Sequence, residues 1–128
     1  MLTPLRPRFC QRSRFVRRRI LAFGNPICCP AVTYVRRELP EPVFESGFKS
    51  NVDWQAWERL SRLEGSFVYL REPLMYHRIH GGSETTSMIR DAGRSAEDLE
   101  MFRRFWPEPV ARLLARIYRA SERSNNEP

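Results

Sequence analysis

Acidic residues are missing from the first 37 positions, which hold nine arginines (Arg6, Arg8, Arg12, Arg14, Arg17, Arg18, Arg19, Arg36 and Arg37). Downstream, thirteen Lys and Arg face all fifteen Asp and Glu, so the formal net charge of +7 belongs to the N-terminal arm. Long apolar runs are also missing: no stretch approaches the length of a membrane span, and Met1 to Phe23 lacks the unbroken apolar core of a secretory signal. The chain therefore reads as cytoplasmic, with peripheral contact at a membrane open to it. Cysteine is scarce and odd in number. Cys10, Cys28 and Cys29 offer no Cys-x-x-Cys pair for zinc, and adjacent cysteines bridge only with strain, so free thiols are expected, with Cys28 and Cys29 as small buried hydrophobes. Internal repeats and low-complexity tracts beyond the arginine arm are absent as well.

What is present fits one small domain of 128 residues with 41% hydrophobic residues. The arm, residues 1–22, reads as poorly ordered because like charges repel and its prolines interrupt a helix. "ICCPAVTYV" (Ile27 to Val35) is β-branched and apolar enough for a largely buried strand, with Pro30 at an edge or bulge. A loop rich in proline follows. Ser50 or Asn51 then caps a helix that opens on Asp53, carries Trp54, Trp57, Leu60 and Leu63 at near-helical spacing, and stops at Gly65. "SFVYL" and "PLMYHRIH" read as two short strands separated by Arg71-Glu72-Pro73. Further on, "EDLEMFRRFW" and the segment opened by Pro107 and Pro109 form a helical hairpin. The expected core is Trp57, Leu60, Leu63, Phe67, Val68, Leu74, Phe102, Phe105, Leu113 and Ile117.

"GNPICCPAVTYVRR", "PVFESGFKSNVDWQAWERLSRLEGSFVYL", "EPLMYHRIHGGSETT" and "EDLEMFRRFWPEPVARLLARIYRASERSN" resemble, in that order, the C-terminal half of family 2 glycosyltransferases. The resemblance runs from about Phe23 to Asn125. Its most specific element is an Asp-Trp-x-x-Trp helix start followed by Tyr-x-Arg-x-His-x-x-Ser. It implies an α+β fold, part of a GT-A (Rossmann-like) architecture with short mixed strands packed with three helices, and places residues 23–125 on the acceptor side. It further implies that Asp53 takes the proton from an acceptor hydroxyl. Trp54 and Trp57 would offer aromatic faces to a sugar ring, Arg78 and Ser83 would contact the donor diphosphate, and His80 would help hold a divalent cation, Mg or Mn.

The partners so implied are a nucleotide-sugar donor and a saccharide or lipid-linked acceptor. An Asp-x-Asp pair and a nucleotide-binding strand-helix repeat are absent, so the donor half and the rest of a metal site are expected to be missing. The chain then reads as a fragment, a truncated gene product or one part of a split enzyme that associates with a donor-domain chain, inactive alone and binding no cation by itself. The competing reading is a small basic protein whose Arg-rich arm, with Phe9, Phe15 and Phe23 interleaved, binds nucleic acid or an anionic surface. No specific nucleic-acid motif accompanies the arm.

Overall fold

A computed structural model describes residues 2–76 and 92–124. Among these, five α-helices carry the fold: α1 (Arg8–Arg12), α2 (Arg14–Leu21), α3 (Val52–Arg62), α4 (Ala92–Arg103) and α5 (Glu108–Ser124). The long connection between α2 and α3 holds two single 3-10 turns, Cys29–Ala31 and Arg36–Glu38.

Each helix is set by local chemistry. Ser13 separates α1 from α2: its backbone is extended, its hydroxyl accepts from the Val16 N–H at 3.3 Å, and its carbonyl accepts from Arg17. On α3 the buried positions Trp54, Trp57, Leu60 and Ser61 recur with the helical period. α4 and α5 form a hairpin through a tight turn in which the N–H groups of Phe105 and Trp106 both donate to the Phe102 carbonyl. Ala111 and Ala115 are buried on α5, and such small side chains let a helix approach its neighbour closely. Trp54 is wholly buried at the centre, edge-on to Phe102 at 5.2 Å and tilted against Tyr118 at 5.7 Å.

The expected α+β, partial GT-A fold is corrected to an all-α fold: no strand occurs among the described residues. The Ile27–Val35 segment is interrupted by the turn at Cys29–Ala31, and Cys28 and Cys29 are exposed free thiols rather than buried ones. Ser66–Leu70 keeps the alternation of a strand, with Phe67 and Tyr69 half-buried and Val68 and Leu70 exposed. A ladder needs a partner chain, however, and the Phe67 N–H instead donates to the Gln11 carbonyl at 2.9 Å. Pro73–Tyr76 is exposed, and the rest of that expected strand lies outside the described residues.

The arm is corrected too. Leu5, Arg17, Ile20 and Leu21 are buried, so residues expected to be poorly ordered contribute to the core. Ile20 and Leu21 recur one turn after Val16 and Arg17, and the run of charge hides this pattern. Arg17 buries its stem, donates to the Leu63 carbonyl at 2.8 Å and holds its guanidinium 5.3 Å from the Phe67 ring centroid. Of the expected core, Trp57, Leu60 and Phe102 are buried and Phe67 and Phe105 partly so. Leu63, Val68, Leu74, Leu113 and Ile117 are exposed.

Glu58 joins three elements. Only 2% exposed, it pairs with Arg18 of α2 at 2.5 Å, Arg62 of its own helix at 2.6 Å, and Arg104 after α4 at 3.5 Å. Glu58→Ala leaves these cations without their shared anion, and we expect a loss of about 3 kcal/mol in chemical denaturation. Glu108 is a contrasting case. Hydrogen bonds from Arg103 and then Arg112 pull its carboxyl down to about 2, but all three residues are solvent-exposed. Water screens such pairs, so Glu108→Gln should leave the denaturation midpoint nearly unchanged. Equal effects of the two substitutions would refute the central role of Glu58.

Candidate functional site

The first turn of α3 presents Asp53 beside the loop that leaves α2. Gly24 shapes this loop: its φ is +138°, and a Cβ there would lie 2.6 Å from Cε2 of Tyr118. A side chain is therefore excluded by backbone geometry and by the ring. The next residue, Asn25, is locked by its Oδ1 accepting from the Ile27 N–H at 3.2 Å, which turns its Nδ2 to donate to Asp53 Oδ2 at 2.9 Å. The other carboxylate oxygen, Oδ1, accepts from the Trp54 N–H at 2.7 Å.

Burial pushes the Asp53 carboxyl above the usual aspartate range, against the opposing pull of the Trp54 and Asn25 hydrogen bonds and the positive charge of Arg94. It remains half-buried rather than sealed. Cys29 stands near enough to feel it. Desolvation first, then the charge of Asp53, raises the Cys29 thiol and keeps it protonated at neutral pH. The side chain thus has little nucleophilic character.

A second carboxyl, Asp98 on α4, is buried and its affinity for a proton is likewise raised by burial. Asn51 Nδ2 donates to Asp98 Oδ1 at 2.7 Å, while the charges of Arg94 and Arg119 favour its ionised form. Arg94 acts on both aspartates. Beside Asp98, Glu97 receives the N–H groups of Lys49, Ser50 and Asn51 at 2.7, 2.9 and 3.0 Å and the Ser50 hydroxyl at 2.7 Å. Burial pushes Glu97 up, but these donors outweigh it and its carboxyl falls below the ordinary value. The expected cap of α3 is thereby corrected. The Asn51 side chain makes no capping hydrogen bond; Glu97 of α4 instead binds the N–H of Asn51 and those of the two residues before it, and the Trp54 N–H goes to Asp53.

The two tryptophans do not offer faces to a sugar. Trp54 is packed between Phe102 and Tyr118 with its Nε1 donating to the Leu21 carbonyl at 3.1 Å, and Trp57 is buried against Phe44. Both belong to the core, because the helical stripe that brings them together is the one that faces inward. Arg78, His80 and Ser83 lie outside the described residues. Among the described residues no three His, Cys, Asp or Glu side chains come together as a set that would hold a metal ion. Both Asp53 oxygens already accept hydrogen bonds. Sequence reasoning missed Asn25, Arg94, Glu97 and Asp98. The Glu97-Asp98 pair gave a signal, two acids at the start of an apolar stripe, but a partner 47 residues earlier is not legible from spacing.

No model of a known protein family, no curated protein and no solved structure matches the chain. Among the described residues, no helix is long and apolar enough to cross a membrane.

The raised affinity of Asp53 for its proton links the site to stability. The folded state holds this proton more tightly than the unfolded chain does. Stability from this group is therefore complete below the ordinary aspartate value of about 4 and is lost as pH rises through the higher folded value. Asn has no proton to lose, so the melting temperature of Asp53→Asn relative to wild type should climb with pH across that window. A difference that stays flat would mean the carboxyl is not desolvated.

Proposed function

We propose that this chain supplies the acceptor side of a sugar transfer, with Asp53 as the group that takes the acceptor proton. The carrying observation is the Asp53 carboxylate, fixed at the start of α3 by Asn25 and the Trp54 amide, partly open, and made a stronger base by burial. The resemblance of the quoted segments to family 2 glycosyltransferases supports the same role for this residue.

The acceptor hydroxyl oxygen attacks the anomeric carbon of a nucleotide sugar and forms the new C–O bond. The bond from that carbon to the diphosphate oxygen breaks, and its electron pair leaves with the nucleoside diphosphate. The hydroxyl proton passes to an Asp53 oxygen. A base gains proton affinity when burial disfavours its charged form, which is the direction in which Asp53 is shifted. Asn25 acts as a positioning residue, holding one oxygen so that the other lone pairs keep a fixed direction. The diphosphate roles expected of Arg78 and Ser83 and the metal role of His80 belong to this proposal, as do the nucleotide-sugar donor, the saccharide or lipid-linked acceptor and a donor-domain chain.

The test pairs this chain with a donor-binding chain, or reads it within an enzyme that contains both parts. Asp53→Asn should lower kcat by about 100-fold or more while leaving donor affinity unchanged, since only the proton acceptor is lost. Asn25→Ala should cost less and move the acidic limb of the pH-rate profile to higher pH, because the hydrogen bond that favours the ionised carboxylate is lost. Turnover of Asp53→Asn near wild type would sink the assignment and leave Asp53 as a helix-start residue.

A further inference from the structure

The arginine-rich helices α1 and α2 use only one side to hold the fold. Arg17, Ile20 and Leu21 face inward with Val16 half-buried, while Arg8, Phe9 and Arg12 on α1 and Arg14, Phe15 and Arg19 on α2 face out. Phe9 is 79% exposed and Phe15 75%, and three or four residues on, on the same helical face, stand Arg12 and Arg19. Large apolar rings held in water amid cations serve no packing purpose in the fold.

The cations are available too. Among the described residues no carboxylate lies within ion-pair distance of Arg6, Arg8 or Arg12, and Arg14 reaches Glu64 only at 3.7 Å with both side chains exposed. Other arginines of the segment are spoken for: Arg18 pairs with Glu58, and Arg19 stacks over Phe23 and Trp106. Unpaired charge and unpaired aromatic surface therefore coincide on the outer face.

We propose that the outer face of α1 and α2 docks on an anionic lipid bilayer, with Arg8, Arg12 and Arg14 on lipid phosphates and the rings of Phe9 and Phe15 entering the boundary between headgroups and acyl chains. Charge complementarity selects an anionic surface, and the rings select one with an apolar interior. Amphipathic helices with a basic polar face lie in the interface plane and bury their apolar side chains about 5–10 Å deep. A single-stranded nucleic acid would match the charge, but stacking of successive bases calls for a platform of aromatics in line. Here the two rings stand on separate helices divided by Ser13. In the reaction proposed above such docking would bring the acceptor side to a lipid-linked saccharide, yet the docking residues include none that hold Asp53 and the docking does not require that reading.

The experiment is co-sedimentation of the whole chain with vesicles of phosphatidylcholine alone or with phosphatidylserine added. Binding should need the anionic lipid and weaken with salt. Arg8→Gln, Arg12→Gln and Arg14→Gln together should cost about fivefold each, near 100-fold in sum. Phe9→Ser with Phe15→Ser should weaken binding at least about tenfold, with circular dichroism confirming that the exposed positions leave the fold intact. The emission of Phe9→Trp should be quenched by brominated acyl chains, which reports insertion directly. Equal binding to both vesicle types, no effect of the two Phe substitutions, or release from vesicles by single-stranded RNA with retention of binding to that RNA would each overturn the proposal.

Discussion

A single carboxylate, that of Glu58, makes a helical fold possible for a chain crowded with guanidinium groups. It lies at the crossing of α2, α3 and the turn after α4, and Arg18, Arg62 and Arg104 converge on it. One anion does not neutralise three cations. The remainder is absorbed by aromatic faces: Arg18 stands 5.1 Å from the centroid of Phe105, and Arg104 stands 5.4 Å from that of Phe48. Arg18 also donates to the Arg104 carbonyl at 3.3 Å, closing the link between the first and last parts of the molecule. Planar guanidinium groups combine a forked ion pair with stacking, which an ammonium does not. The arginine content is thus a packing solution as well as a source of charge.

Asp53 depends on this arrangement indirectly. The burial of Trp54 fixes the start of α3, and the Trp54 Nε1 bond to Leu21 fixes the end of α2 against it. The short stretch from Leu21 to Asn25 is then held at both ends, with Trp106 Nε1 donating to the Ala22 carbonyl at 2.7 Å. Asn25 reaches Asp53 because its approach is determined on either side. The tryptophans serve the carboxylate by holding its scaffold, a different service from binding a sugar.

Much of the helical framework was legible in the residues. The apolar spacing from Trp54 to Leu60, the acid at the start of α3, and Pro107 with Pro109 opening α5 are local signals, and the helices lie where those signals put them. The strands were not, because alternation reports only which side of an extended segment meets the core. Phe67 and Tyr69 do turn inward, but a sheet also requires a neighbouring strand, and none occurs among the described residues. The arm misled in the opposite sense: charge density argued for disorder, while burial of Arg17 rests on a carbonyl and an aromatic ring distant in sequence. On α5, attention to Leu113 and Ile117 passed over Ala111 and Ala115, whose small size decides which side packs. At the site, the position of Asp53 was visible, whereas its partners Asn25 and Arg94 come from other elements.

The glutamate that binds the amides leading into α3 has a consequence for synthesis of the chain. Glu97 follows its partners Lys49, Ser50 and Asn51 by 46 to 48 residues. At a translation rate of about 5–20 residues per second, the segment that leads into α3 waits roughly 2–10 seconds before the carboxylate that holds it has been made. Through that interval the indole ring of Trp54 also lacks Phe102 and Tyr118 of the later hairpin. The nascent chain therefore carries a tryptophan-rich helix with an open apolar side, next to an arginine-rich segment.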